Sequence, residues 1–419
     1  FLKDDKYFKD WTRLVVRGIK VRKLDPKCIS RDSLVITNNG FKQAKEVTTN
    51  DMVLGVDGKW KRVLKVYPIE DNEQYLIKIQ FSVPFVVNGK HPILINKLPE
   101  YILKYHSKYK NKKRRSLCNP CLIPSRELRA GDIVLFRKPE LETKFYGTYE
   151  EGKLLGLYLA DGRSSKVGNP FISLNAHTEE ELSVDIKRLG EKIFSWCHIL
   201  KYGSELRVSF PKSSWEFFGR VISNGQKHIP FEFLYYNKEF LKGLVDGFLL
   251  GDSTGYLHGK GIANRNLQVI SMMSLILLKL GYVPSFKISN EKDGVTYLLY
   301  WKDDYKENGK FAKFYDYGSY IGFRVQEVRK LEKPQELINI EVEDGYFALP
   351  FVTTHNTKRP LEGQYERMWR IMFPIDQLPY ALSDRAMKKG WKPPKNVKYP
   401  FPKEWAKRKF PEQYKKWLQ

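Results

Sequence analysis

The sequence has no run of about 18 uninterrupted apolar residues, which excludes a membrane-spanning helix. It opens FLKDDKYFKDW, with neither an initiator Met nor the apolar core of a signal peptide, and reads as a stretch of a longer open reading frame. Cysteine is scarce. Cys28, Cys118, Cys121 and Cys197 are too few to scaffold 419 residues with disulfides, so a reducing, intracellular setting is expected. Acid is short as well: 48 Asp/Glu face 73 Lys/Arg, a net charge of +25, which points first to nucleic acid and then to an anionic membrane surface. No solenoid-type repeat is visible. What is there is globular in character: 42% hydrophobic and 29% charged, at a length that allows two or three domains.

The charge is uneven. Residues 1–27 carry nine Lys/Arg against four acids, and residues 357–419 carry sixteen against six, so the two ends are far more basic per residue than the middle. Residues 29–95 alternate short Val/Ile/Leu runs (SLVIT, MVLGV, RVLKVY, YLIKIQF, PFVV) with turn pairs such as Asn39-Gly40 and Asp57-Gly58, which predicts antiparallel strands. Strands are predicted again at GDIVLF (131–136) and over 322–352. Between them, 150–160, 178–198, 237–251 and 265–281 have apolar residues three and four apart, which predicts helices. An α+β insert is therefore bracketed by β structure, and a Pro-, Lys- and aromatic-rich tail follows.

The residues with chemistry stand at the edges of the β regions. In Thr354-His355-Asn356-Thr357, an Asn carboxamide can attack its own backbone carbonyl and cut the chain after itself, with the adjacent His moving the proton. The hydroxyl of Thr357 is a nucleophile for an acyl group. Cys28 opens the first β region, where a thiol can attack the preceding carbonyl to make a thioester. His91, in NGKHPILI, can protonate the departing nitrogen. Each alone is as readily a loop or core residue; their order around an insert is what carries weight.

With these residues in these places, residues 28–356 resemble an intein, a self-splicing insert. Cys28 with SLVITNNG, Asp51 with MVLGVDGKW, His91, and INIEVEDGYFALPFVTTHN before Thr357 match that family's blocks in order. The resemblance implies an all-β Hint splicing domain, with Cys28, His91, His355, Asn356 and Thr357 as its catalytic set and no cofactor for splicing. Three positions depart from the family: Asn88 stands where Thr is usual, Asn339 where Asp is usual, and Gly345-Tyr346 where a His is common. Asn88 is expected to assist more weakly than a Thr.

The insert carries one twofold repeat. LLGLYLADG (154–162) recurs as VDGFLLGDS (245–253), aligning Gly156 with Gly247, Ala160 with Gly251 and Asp161 with Asp252. Small residues four apart let two helix backbones approach, and the acids then meet at the helix C-termini, where an anion is unfavourable unless a cation offsets it. Two converging carboxylates suit Mg²⁺; plain helix packing with helix-end acids is the other reading. The repeat resembles the paired motifs of LAGLIDADG homing endonucleases, supported by KHIP (227–230) and SMMSLILLKLGY (271–282), with Ser253 in place of the usual Gly. That resemblance implies a duplicated αββαββα endonuclease domain acting as a monomer on double-stranded DNA, the intein-free host gene. It also implies Asp161 and Asp252 as Mg²⁺ ligands and Lys227 as a catalytic lysine, with Lys302 as its counterpart.

The expected organisation is a flank of a host protein over 1–27, the Hint domain over 28–145 and 320–356, the endonuclease over 146–319, and a second flank over 357–419. Cys118-Asn119-Pro120-Cys121 is a lone CxxC short of ligands for zinc, and 104–116 is a basic loop with aromatics suited to phosphate. The alternatives are a hedgehog-type autoprocessing domain, a DNA-binding module with decayed splicing and nuclease sites, or a function residing in the joined basic flanks.

Overall fold

The computed structural model describes residues 27–97, 116–163, 168–254, 259–302 and 314–356, all within one unit, Pro26–Asn356. Thr357, most of the 104–116 loop and, apart from Lys27, both flanks lie outside the described residues. No helix among the described residues is long and apolar enough to cross a membrane.

A large antiparallel sheet of 15 strands gathers both ends of the unit. It begins with Ile29–Ser30, pairs that short strand with Phe85–Asn88 on one side, at Ile29↔Val87, and Leu337–Val342 on the other, at Ile29↔Ile338, and so brings the two ends of the unit into register. The closing hairpin, Tyr346–Leu349 with Val352–His355, lies on the strand Pro92–Asn96 through Thr354↔Ile93. The runs expected as strands are strands, because their apolar residues are buried in one contiguous core: Val35, Ile36, Val53, Ile77, Val87, Ile93, Val134, Phe323 and Ile340 are all inaccessible to solvent or nearly so. The sheet also takes in Phe314–Asp316, paired with Tyr320–Lys330 ahead of the expected boundary at 319/320.

Between Ile133–Arg137 and Phe314–Asp316 stands the helical segment. Its elements run α1 (Tyr149–Asp161), two strands ending at Asn175, α2 (Glu180–Ile193), the hairpin His198–Tyr202/Glu205–Ser209 and the short α3 (Trp215–Gly219). The order then recurs as α4 (Lys238–Gly251), a strand Lys260–Asn264, α5 (Leu267–Leu280) and the hairpin Ser285–Glu291/Gly294–Trp301. The four helices predicted from periodicity are thus α1, α2, α4 and α5, each within a few residues of its expected ends. A capping box starts α1: Thr148 Oγ1 accepts from Glu151 N at 3.1 Å while the Glu151 carboxylate accepts from Thr148 N at 2.8 Å. Asn266 caps α5, and Gly281, at φ +96°, ends it in the left-handed conformation that only glycine adopts cheaply.

α1 and α4 pack face to face. A Cβ on Gly156 would lie 2.1 Å from Leu244 O, and one on Gly247 2.1 Å from Lys153 O, so the glycines are what permits the approach. Gly152 and Gly243, one turn before the repeated motifs, extend the contact further back. The helical segment is seated on the large sheet by apolar edges: Phe41 meets Phe286 and Trp60 meets Phe231, both edge-on at 5.2 Å.

Candidate active sites

The first site is built where the two-residue strand of Cys28's segment ends. Cys28 is buried, and its N–H donates to Asn88 Oδ1 at 3.0 Å while Asn88 N donates to Cys28 O at 3.1 Å. Burial, and then the negative charge of Asp71, push the thiol up to about 12, so it is a neutral S–H at physiological pH. His91 follows Asn88 in a turn closed by His91 N→Asn88 O at 3.0 Å, and Ser125 pins that turn by donating its Oγ to the same carbonyl at 2.6 Å. The His91 ring is fully buried, and neither nitrogen closes a hydrogen bond of ordinary geometry. The turn sets His91 three residues after Asn88, which bonds Cys28 through both its main chain and its side chain, and the Lys27 main chain is among the groups that influence the imidazole. Burial and then the neighbouring His355 hold the imidazole at about 3, so it is neutral.

The chain returns to this place at its other end. The register Thr354↔Ile93 carries His355 and Asn356 toward the His91 end of that strand, and the electrostatic influence of His355 on His91 marks their proximity. His355 packs edge-on against Tyr346 at 4.6 Å. Asn356 is buried; its N donates to Gly345 O at 2.7 Å and its Nδ2 to Ile340 O. Gly345-Tyr346, where the family commonly has a His, thus supplies a carbonyl anchor and a ring support instead. Asn339 is buried with its Nδ2 on Tyr67 OH and is a strand residue opposite Tyr67. Asp51 is not at the site: it ties the Thr48 turn and Lys42 together, with Lys42 Nζ at 2.6 Å.

A buried neutral imidazole titrates against folding. Its folded value of about 3 lies below the unfolded 6.5, so the unfolded chain binds more protons between them. Stability contributed by His91 is therefore full above pH 6.5 and is lost as pH falls through that window. In a chain made inert by Cys28→Ala and Asn356→Ala, urea midpoints should drop steeply from pH 7 to pH 4, and the drop should shrink with His91→Gln. Identical pH profiles for the two chains would contradict this placement of His91.

The second site lies where α1 and α4 end. Asp161 is the last residue of α1 and Asp252 the cap residue of α4. The contact between them is close enough that a Cβ on Gly251 would lie 2.3 Å from Asp161 Oδ2. Asp161 is raised to about 6 by burial and then by the charge of Asp252, against the pull of Lys227. Asp252 is raised by burial, opposed by its bond from Asn264 Nδ2 at 2.6 Å and by Lys227. Lys227 completes the group: its Nζ donates to Ala160 O at 2.6 Å, burial lowers its pKa, and both acids raise it. Asn266 Nδ2 donates to Lys227 O at 2.6 Å, and Gln268 bonds Ile229 N and O at 2.9 and 2.8 Å, so the N-terminus of α5 holds the KHIP segment in place. Lys302 directly follows the strand Gly294–Trp301.

Two desolvated carboxylates, the charge of Asp252 raising Asp161, with one half-buried ammonium beside them, leave a local excess of negative charge whenever both ionise. That donor set fits a hard divalent cation that takes one or two protein carboxylates and fills its shell with water or phosphate. Among the described residues no group of three or more His, Cys, Asp or Glu forms a metal cluster, and Cys118 and Cys121 form no disulfide. Sequence reasoning missed Asp71, Ser125 and Asn264, none of which belongs to a motif. Asn266 carried a usable signal, an Asn immediately before an apolar helical run.

No protein-family model matches the chain. It is similar to the uncharacterized protein MJ0043 of Methanocaldococcus jannaschii, 24% identical over 312 residues covering 62% of this chain and 38% of that one. It is also similar to the ATP-dependent DNA helicase Hel308 of Thermococcus kodakarensis, 24% identical over 413 residues covering 79% of this chain and 36% of that one. The chain thus spans little more than a third of the length of the curated relatives it matches. Among solved structures, the homing endonuclease I-DmoI in complex with DNA and Mn aligns at 18% identity and TM-score 0.30, over 37% of this chain and 89% of that one. The gp41-1 intein aligns at 17% identity and TM-score 0.19, over 27% of this chain and 69% of that one.

Proposed function

We propose that residues 28–356 form an intein that excises itself and joins its flanks, and that its insert is a LAGLIDADG-type homing endonuclease. In this reading 28–145 and 320–356 are the Hint domain, 146–319 the endonuclease, and 1–27 and 357–419 parts of a host protein. The observation that carries it is the convergence, at one end of one sheet, of the Lys27–Cys28 peptide, a neutral His91 beside it, and the returning His355-Asn356 pair.

The neutral imidazole refines the expected role of His91. It first accepts the thiol proton as Cys28 Sγ bonds to the Lys27 carbonyl carbon, then gives it to the Cys28 nitrogen as the C–N bond breaks. Thr357 Oγ next attacks the thioester and releases the Cys28 thiol. Asn356 Nδ2 leaves Ile340 O and attacks its own carbonyl, breaking the bond to Thr357, with His355 moving the proton. The freed Thr357 amine then takes the acyl group from its own oxygen, joining Lys27 to Thr357.

At the second site Asp161 and Asp252 would hold Mg²⁺. A divalent cation there supplies charge neutralisation at the phosphodiester and makes water more acidic. Lys227, held by Ala160 O, keeps an ammonium beside the two acids, where it can stabilise charge developing on phosphate. The wider partner would be double-stranded DNA, bound by a single chain.

The first step can be isolated. An Asn356→Ala chain cannot release its C-terminal flank, and dithiothreitol should then split it after Lys27. A folded Asn356→Ala chain that stays whole in the thiol would contradict the splicing reading.

A further inference from the structure

Cys28 and Asn88 face one another as an antiparallel pair, but only half of the usual exchange is made by main chain. Asn88 N donates to Cys28 O at 3.1 Å. The reciprocal bond goes to the side chain: Cys28 N donates to Asn88 Oδ1 at 3.0 Å. The Asn88 carbonyl is already committed, accepting from His91 N at 3.0 Å and from Ser125 Oγ at 2.6 Å. An Asn amide can face either way in such a slot, and its neighbours decide which end points where. Turned over, Nδ2 would meet the Cys28 N–H donor to donor.

Asp71 settles the orientation. It sits in the turn before Gln74–Ile79, where its Oδ1 accepts from Glu73 N at 3.0 Å, an Asx turn that fixes the carboxylate. Its Oδ2 accepts from Asn88 Nδ2 at 2.9 Å. An ionised carboxylate only accepts, so it demands the same face of the amide that the Cys28 N–H demands.

We infer that Asp71 is a positioning residue for the first acyl shift, holding Asn88 so that its amide oxygen keeps the N–H of the Lys27–Cys28 peptide. The inference rests on the splicing reading above. As Sγ bonds to the Lys27 carbon, the nitrogen becomes tetrahedral and must receive the thiol's proton on a new lone pair. With its N–H tied to Asn88 Oδ1, that lone pair forms on another face. Once the C–N bond has broken, the nitrogen is an amine, and an acceptor-only oxygen favours its protonated form, which cannot attack the thioester in return. The fixed charge of Asp71, one hydrogen bond away, favours the same ammonium.

The test is a double-mutant cycle on the thiol-induced cleavage after Lys27, in chains that all carry Asn356→Ala. Asp71→Asn puts a second amide beside the first, whose donor end competes for the turn, and cleavage should slow about tenfold. With Asn88→Thr the hydroxyl rotates to suit either neighbour, so adding Asp71→Asn should then change the rate by less than about twofold. Asn cyclisation, followed as cleavage after Asn356 in a Cys28→Ala chain, should keep its rate when Asp71→Asn is added, which a general loosening of the sheet would not allow. No slowing by Asp71→Asn, or the same slowing with either residue at position 88, would overturn the inference. A parent chain that resists the thiol altogether would instead overturn the splicing reading.

Discussion

Asp161→Asn and Asp252→Asn should each reduce double-strand DNA cleavage by more than about a hundredfold while the folded chain becomes more stable. The loss follows from the donor set: two carboxylates at the ends of α1 and α4 are what the described residues offer a divalent cation. The gain follows from the same geometry without metal. Asp161 has a folded pKa of about 6 against 3.8 for the ordinary group, so its ionised form is disfavoured by folding. Its contribution to stability is present below pH 3.8 and lost as pH rises through about 6. At pH 7.5 in chelator, Asp161→Asn should therefore stabilise by about 1 kcal/mol, a figure reduced for partial exposure, and the difference should vanish near pH 4. DNA binding should persist, since removing a negative charge does not weaken attraction to phosphate. The assay is cleavage and gel shift on host-gene DNA from which the coding sequence for residues 28–356 is removed. Full cleavage by the double variant, or cleavage in chelator, would reduce the two acids to helix-end residues.

Much of this architecture is legible in sequence because burial leaves a period. Strands such as Leu34–Thr37 and Gln74–Ile79 and helices such as α5 follow from apolar spacing, and the spacing of the glycines of α1 and α4 announces a close contact. The proposed nucleophiles stand out in the sequence because their proposed chemistry depends on chain order, which a sequence states outright. What is not legible is anything set by the sheet's path. Ile29–Ser30 is two residues long and has no pattern from which its partners could be inferred, yet its pairing with Phe85–Asn88 brings Cys28 to Asn88. Asp71 looks like any acid in a polar turn, and its reach to Asn88 follows from the register Gln74↔Asn88. Asn264 likewise reads as a strand end until its bond to Asp252 appears. The neutral state of His91 depends on complete burial, which one residue between two strands does not reveal.

Cys28→Ala should eliminate the joined product entirely, because no thioester can form and the acyl group of Lys27 has no other route to Thr357. Cyclisation of Asn356 depends on its own carboxamide and on His355, so cleavage after Asn356 should survive. Its Nδ2, held on Ile340 O, is placed independently of the thiol. The methyl of alanine leaves the Cys28 main chain and its bond to Asn88 Oδ1 in place, so the change removes the nucleophile and little else. Joined product from Cys28→Ala would move the nucleophile to another residue.

The central claim is that the chain cuts itself at two named bonds and rejoins the outer pieces, and the intact mass of the expressed chain reads this directly. Splicing predicts two species: residues 28–356, a fragment of 329 residues ending in a succinimide or its hydrolysis product, and a 90-residue chain in which Lys27 is bonded to Thr357. A single species at the full 49.3 kDa from folded protein, with no mass at either product, would contradict the account.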